Sequence, residues 1–326
     1  MGTVVALGGQ VGGAKLADGL YRLRDRKLTL VVNTGDDFEH VGLSFSPDLD
    51  TMIYTLAGLE SQSAGWEPRG ETYRLFEMLK MVGGPDGIRL GDQGLAMPIL
   101  RSEGLAAGRT LSEITRGFCQ HLGIHAQVLP MSDDPVRTQL LTSSGAVSFQ
   151  DYFSQLACEP VVTGFQYANA AEARIPDAVV EALRAPDLEA VVIFPCNPYH
   201  VVRPILEIGG MRELLRKQGA PVIAVSPIVG GGALQGSAAK IMQELGHTPL
   251  PRTVAMEYHG LIDGFIIDQV DAEQAEGLRA SGIEVLVAPT VMRALNDRID
   301  LAVQVIKFAK QLATIKAEAA ESGTAS

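Results

Sequence analysis

Seven short apolar runs, rich in β-branched residues, punctuate the chain: TVVAL (3–7), LTLVVN (28–33), AQVLP (126–130), AVVIFP (190–195), PVIAVSP (221–227), GFIID (264–268) and EVLVAP (284–289). Each is mostly continuous rather than alternating. A strand reads that way when both of its faces are covered, so the pattern predicts a mainly parallel sheet with helices on either side. The segments between carry helical periods. A helix follows the first run from Ala14 to Leu23, and SPDLDTMIYTL starts another, with Ser46 as N-cap, Pro47 at the first helical position and Leu49, Ile53 and Leu56 on one face. Near the C-terminus, Leu301, Val305, Phe308 and Leu312 share a helical face, predicting a closing helix over 298–313.

One stretch departs from this alternation. TQLLTSSGAVSFQDYF (138–153) reads as two strands around a Ser-Ser-Gly turn, within an insertion. The predicted fold class is α/β, a Rossmann-like doubly wound, mainly parallel sheet with an inserted mixed α/β region. Residues 1–310 are expected to form a single domain with the insertion at about 110–185. Residues 311–326 should be the end of the last helix and a frayed tail.

Composition narrows the function. The 326 residues are 46% hydrophobic and 20% charged, enough to bury a full core. A formal net charge of -11, with no Lys/Arg run longer than two, lacks the basic footprint of a nucleic-acid binder. Three scattered cysteines make neither a disulfide framework nor a zinc site and fit a reducing cytoplasm. No apolar run nears the roughly 20 residues of a membrane span, and MGTVVALGGQVGG lacks a positive n-region, so a soluble cytoplasmic protein without membrane partners is expected.

The candidate chemistry lies at strand ends. LGGQVGGAKL follows the first strand and opens a helix. Its glycines, Gly9, Gly12 and Gly13 among them, let backbone amides approach an anion beside a helix N-terminus. The alternative is a tight turn without a ligand, and the spacing matches neither Walker A nor GxGxxG. After the second strand, VVNTGDDFEHVGLSFSPDLDT sets Asn33, Asp36, Asp37, Asp48 and Asp50 close together. Asp48 is explained by the helix dipole, Asp50 less well, and acids at a strand end suit a magnesium ion or a hydroxyl-bearing substrate. MSDDPVRTQL places Asp133 and Asp134 before a proline, as an Asx-type turn or a functional pair. Asn197 follows the fourth strand, and SPIVGGG, with Ser226 and Gly230, repeats the strand-to-glycine-loop arrangement. Three such strand ends in one sheet imply a long ligand, such as two phosphates and a base. The six histidines show no metal-ligand spacing and are read as surface or hydrogen-bonding groups; no GxSxG elbow or cysteine nucleophile signature occurs.

Taken together, VVALGGQVGGAKLADGL, VVNTGDDFEHVGLSFSPDLDT, LGD (90–92), LPMSDDPVRT, NP with PIL (197–206), AVSPIVGG and GLIDGFIIDQVDA resemble the 2-phospho-L-lactate transferase family of coenzyme F-420 biosynthesis, in colinear order over about residues 3–310. The resemblance implies a magnesium-dependent transferase. Such an enzyme moves a phospho-carboxylic acid from a guanosine diphosphate-activated donor to the ribityl hydroxyl of 7,8-didemethyl-8-hydroxy-5-deazariboflavin, releasing GMP. It also implies a homodimer. By the same likeness Asp50 is the catalytic residue, contacting the deazaflavin or metal, and Arg89 is the other deazaflavin contact. Asp133 and Asp134 are further substrate-binding residues. Asp48 and Asp50 would hold Mg2+, while Gly9, Gly12, Gly13, Asn33, Asn197, Ser226 and Gly230 would line the nucleotide. The chain departs from the family pattern at Gln10, Gln93, Met97, Pro98, Val201, Gln235 and Ser237, which leaves the acid on the donor open among 2-phospholactate, phosphoenolpyruvate and 3-phosphoglycerate. A nucleotide-sugar-binding regulatory protein of the same fold is the alternative. A nicotinamide oxidoreductase is disfavoured by the missing GxGxxG.

Overall fold

A computed structural model describes residues 2–233 and 236–323. All seven apolar runs become strands of one parallel sheet. These are β1 (Thr3–Gly8), β2 (Lys27–Val32), β5 (Gln127–Pro130), β9 (Leu188–Ile193), β10 (Val222–Val225), β13 (Gly264–Ile267) and β14 (Glu284–Val287). Their order is β14-β13-β10-β9-β1-β2-β5, every pair parallel. Chain direction across the sheet therefore reverses between β1 and β9, and the crevice beyond the strand ends there is where doubly wound folds receive ligands.

The other strands lie outside this sheet. β3 (Phe38–His40) and β4 (Leu43–Phe45) form a hairpin, and β11 (Ile228–Val229) and β12 (Gly232–Ala233) a shorter one. β6 (Arg137–Thr142), β7 (Gly145–Ser148) and β8 (Val162–Ala168) make an antiparallel sheet in the order β7-β6-β8. The Ser-Ser-Gly turn thus joins two strands as expected, but residues 149–153 do not continue the second. Ser148 Oγ accepts from the Asp151 amide at 3.0 Å, capping a helix over Phe149–Ser154.

The helices that precede or flank the site are α1 (Gln10–Arg22), α2 (Pro47–Leu56), α3 (Arg74–Met81), α4 (Ala96–Ala106) and α5 (Leu111–His121). In α2, Leu49, Ile53 and Leu56 are buried as their period required. Ser46 sits at the N-cap position, but its hydroxyl donates to Asp37 Oδ2 at 2.7 Å instead of capping the helix. α5 opens on a full capping box between Thr110 and Glu113. The closing helix spans Leu295–Gly323, with Leu301, Val305, Phe308 and Leu312 buried against the sheet. It overruns the tail expected to fray, because its register continues through an alanine-rich, glutamate- and lysine-bearing stretch of high helix propensity. Among the described residues, no helix is long and apolar enough to cross a membrane.

Candidate functional site

The glycine loop is shaped by what presses on it. Gly8 takes φ +148°, and Gln10, the first residue of α1, takes φ +58°, a left-handed value that glycine accepts more readily than glutamine. A Cβ on Gly9 would lie 2.2 Å from Asp48 Oδ2, and one on Gly12 2.5 Å from the Pro195 carbonyl oxygen. Gly9 and Gly12 are therefore required by close approach, to α2 on one side and to the turn after β9 on the other. The opening turn of α1 carries no acidic residue and no cap from its own N-cap side chain; Asp48 takes the Gln10 amide, and the amides that follow have no acceptor within the helix.

α2 delivers its first carboxylate to this loop. Asp48 Oδ1 accepts from the Gln10 amide at 2.8 Å, and Oδ2 accepts from Asn33 Nδ2 at 2.9 Å. Asn33, at the end of β2, also donates through Nδ2 to Asp36 Oδ2 at 3.3 Å, while its own Oδ1 accepts from the Gly35 amide at 2.9 Å. Asp36 Oδ2 lies 2.9 Å from His200 Nδ1, and the His200 ring stacks on Phe149 at 3.9 Å. Burial, then the charge of Asp36, pushes the Asp48 carboxyl up to about 6, against the hydrogen bonds from Asn33 and Gln10. Asp37 is pushed well above the usual carboxylate range, by burial first.

The Asn-Pro turn after β9 closes the other side. Asn197 Oδ1 accepts from the Tyr199 and His200 amides at 2.9 and 3.3 Å, and the Asn197 amide donates to Gln10 Oε1 at 3.0 Å. With Oδ1 fixed as the acceptor, Nδ2 is a donor of known direction that is buried and has no partner among the described residues. The Gln10 carboxamide also reaches His200, with Nε2 to Nε2 at 3.3 Å.

Asp50, the second acid of α2, is buried and clamped. The Arg101 guanidinium, on α4, meets Oδ2 through Nη1 at 3.2 Å and Oδ1 through Nη2. Burial raises the Asp50 carboxyl, and Arg101 opposes that by charge and hydrogen bonding. Buried polar atoms without partners among the described residues gather around these acids: Thr34 Oγ1, Asp36 Oδ1, Asp37 Oδ1, Thr138 Oγ1, Asn197 Nδ2 and Arg101 Nε. Interiors rarely leave such groups unmatched unless an ion, water or ligand completes them.

The remaining predicted residues are placed more widely. Arg89 is exposed, its guanidinium 3.5 Å above the Tyr73 ring. Asp133 Oδ1 accepts from the Ser112 amide at the start of α5 at 2.7 Å, and Asp134 pairs with exposed Arg174 at 3.3 Å; neither is joined to Asp48 or Asp50 by a hydrogen bond among the described residues. Ser226 Oγ is engaged by Ile228 within its own turn. Gly230, at φ +59°, donates its amide to Asp271 Oδ2 at 3.0 Å. Gln93 Nε2 donates to the Gly70 carbonyl at 2.7 Å, Met97 and Pro98 lie in the first turn of α4, Val201 is buried, and Ser237 precedes the helix Ala238–Glu244 without a side-chain cap. Gln235 lies outside the described residues. Sequence reasoning missed Arg101, and it assigned His200 no part in a site. Neither spacing nor composition marks a buried arginine in MPILRSEGL, although His200, three residues after Asn197, follows a turn already under suspicion.

The chain matches the family model described as 2-phospho-L-lactate transferase CofD over residues 4–315. It is 34% identical over 316 residues to a phosphoenolpyruvate transferase of Streptomyces griseus, covering 95% of this chain and 99% of that protein. It is 35% identical over 305 residues to a 2-phospho-L-lactate transferase of Methanosarcina mazei, covering 93% and 99%. A crystal structure of a UPF0052 family member from Bacillus halodurans superposes with a TM-score of 0.61 over 94% of this chain and 98% of that one, at 17% identity, which speaks for the fold. With the glycine loop, the acidic turn and the Asn-Pro turn meeting at one strand-end crevice, this chain belongs to the 2-phospho-L-lactate transferase CofD family.

Proposed function

We propose that this protein transfers a phospho-carboxylic acid from a guanosine diphosphate-linked donor to the ribityl hydroxyl of 7,8-didemethyl-8-hydroxy-5-deazariboflavin, in coenzyme F-420 biosynthesis. The observation that carries the reading is the convergence of buried carboxylates and unpartnered polar atoms on a glycine loop. The hydroxyl oxygen attacks the donor phosphorus that bears the acid. The bond from that phosphorus to the GMP phosphate breaks, GMP leaves, a phosphodiester forms and the hydroxyl proton passes to solvent. Phosphoryl transfer of this kind asks a protein for positioning and charge neutralisation, not for a covalent nucleophile. The amides of the glycine loop and Asn197 Nδ2 hold the diphosphate, Asp50 receives the attacking hydroxyl, and exposed Arg89 with Tyr73 receives the deazaflavin ring.

The donor set fits a magnesium ion. No three His, Cys, Asp or Glu side chains among the described residues form a metal cage, but Mg2+ is commonly held by one or two carboxylates together with substrate phosphates. Asp48 and Asp36, whose Oδ1 has no partner among the described residues, would hold the ion; the Asp48 oxygens accept only from neutral amide groups, whereas Asp50, sequence-matched for the same role, has both oxygens on the Arg101 cation. Bound there, Mg2+ supplies the charge that offsets the diphosphate. Cytoplasmic location and a homodimer belong to the same proposal.

The test is incubation of the purified protein with the deazaflavin, Mg2+ and donors carrying 2-phospholactate, phosphoenolpyruvate or 3-phosphoglycerate in turn. GMP release is expected, and the mass of the deazaflavin product identifies the acid. Nucleotide binding without turnover of any donor would overturn the reading in favour of a regulatory binder.

A further inference from the structure

Arg101 is the largest fully buried side chain among the described residues, 1% exposed. Burying a guanidinium costs several kcal/mol before pairing repays it. The pairing here is specific. Both terminal nitrogens face the two oxygens of Asp50, Nη1 also donates to the Ser44 carbonyl at 3.2 Å, and Nε has no partner among the described residues. The next residue of α4, Ser102, accepts from the Ser44 amide at 2.7 Å and donates to the Pro98 carbonyl at 2.7 Å. Ser44 is thus gripped at both its amide and its carbonyl, which ties the middle of β4 to α4 and with it the direction from which Arg101 approaches α2.

A fork-to-fork contact defines the plane of a carboxylate, which a single ammonium cannot do. It also occupies the inner lone pairs of both oxygens, leaving only outer ones for anything arriving from the crevice. A carboxylate so held is a weak competitor for a metal, but a well-aimed hydrogen-bond acceptor.

We propose that Arg101 is a positioning residue for the transfer: it fixes Asp50 as an oriented acceptor for the hydroxyl of the incoming alcohol, so that Asp50 aligns that hydroxyl and does not ligate the metal. This rests on the reading of Asp50 as the hydroxyl contact.

The experiment is a double-mutant cycle on Asp50→Asn and Arg101→Met, with Arg101→Lys as the conservative variant, read by deazaflavin binding, by GMP release and by thermal melting. Arg101→Lys keeps the charge and loses the fork, so the deazaflavin KM should rise at least tenfold while the donor KM stays within twofold. In the Asp50→Asn background, Arg101→Met should change kcat by less than threefold, since no carboxylate is left to aim. If Arg101→Met alone unfolds, the double variant, which removes both buried charges together, is compared with Asp50→Asn alone, and Arg101→Lys carries the test in the wild-type background. Unchanged deazaflavin kinetics in folded Arg101→Lys, or additive losses in the cycle, would overturn the inference. Failure of the wild type to bind the deazaflavin at all would instead overturn the function proposed above, and the inference with it.

Discussion

The backbone amide of Gln10 donates to the carboxylate of Asp48 at 2.8 Å, joining the turn after the first strand to the start of α2. That bond sets how closely loop and acid approach, and two glycines register the approach differently. Gly9 is extended at φ -173°, so Ala is free to adopt its backbone, and the conflict is with the Asp48 side chain alone. The Gly12 conflict is with the Pro195 backbone. Gly9→Ala should destabilise by about 1–3 kcal/mol and lose most GMP release, because the buried carboxylate must turn away from the Gln10 amide and Asn33. Gly12→Ala should destabilise by about 1–3 kcal/mol, because backbone has to move. Urea melts and turnover of the pair check this; wild-type stability in either variant would refute the packing described.

The Asp48 carboxyl stands at about 6 in the fold, above its ordinary 3.8. A raised carboxyl binds its proton more tightly folded than unfolded, so this group's contribution to stability declines as pH rises from about 4 to about 6 and is flat above. A rise of that size corresponds to about 3 kcal/mol. In metal-free buffer, the melting temperature of Asp48→Asn relative to wild type should therefore climb across that window and level off past pH 6. A difference independent of pH would contradict the environment assigned to Asp48. Magnesium binding, which competes with the same proton, should weaken below pH 6.

Gln10 combines a left-handed backbone with a carboxamide bonded to the Asn197 amide. Gln10→Ala and Gln10→Gly lose that side chain equally, but only glycine relieves the positive φ. The alanine variant should be the less stable by about 1 kcal/mol, measured by denaturant midpoint. Equal midpoints would mean that the loop rearranges once the carboxamide is gone.

Asn197 uses its oxygen as a cap and leaves its Nδ2 unpartnered among the described residues. Asn197→Ala should cost about 1–2 kcal/mol by removing the cap. Asn197→Asp keeps the capping oxygen, loses the donor and adds charge, so it should fold while weakening GDP binding by tenfold or more in calorimetry. Wild-type GDP affinity in that variant would take Asn197 out of the nucleotide site.

The sheet is legible in the chain because its strands are buried on both faces, and short continuous apolar runs between helical periods suit little else than such strands. All seven runs found their place. The acidic turn is legible too, since Asp36, Asp37, Asp48 and Asp50 lie within fifteen positions of each other, more acids than a helix dipole accounts for. Arg101 is not, because an arginine in a helix is by default an exposed residue, and its burial is decided by a hairpin and a helix fifty positions away. Residues 149–153 read as the end of the strand after the Ser-Ser-Gly turn, whereas they form a helix capped by the Ser148 hydroxyl.

Gln10 and Asn197 are 187 positions apart, yet one hydrogen bond ties the first loop of the sheet to the turn after β9. During synthesis the N-terminal strands can emerge and pair long before that turn exists, so the crevice stays incomplete until some two hundred residues have left the ribosome. A truncated chain ending ahead of β9 would expose its carboxylates without their neighbours, and the crevice is assembled only when the second half of the molecule docks on the first.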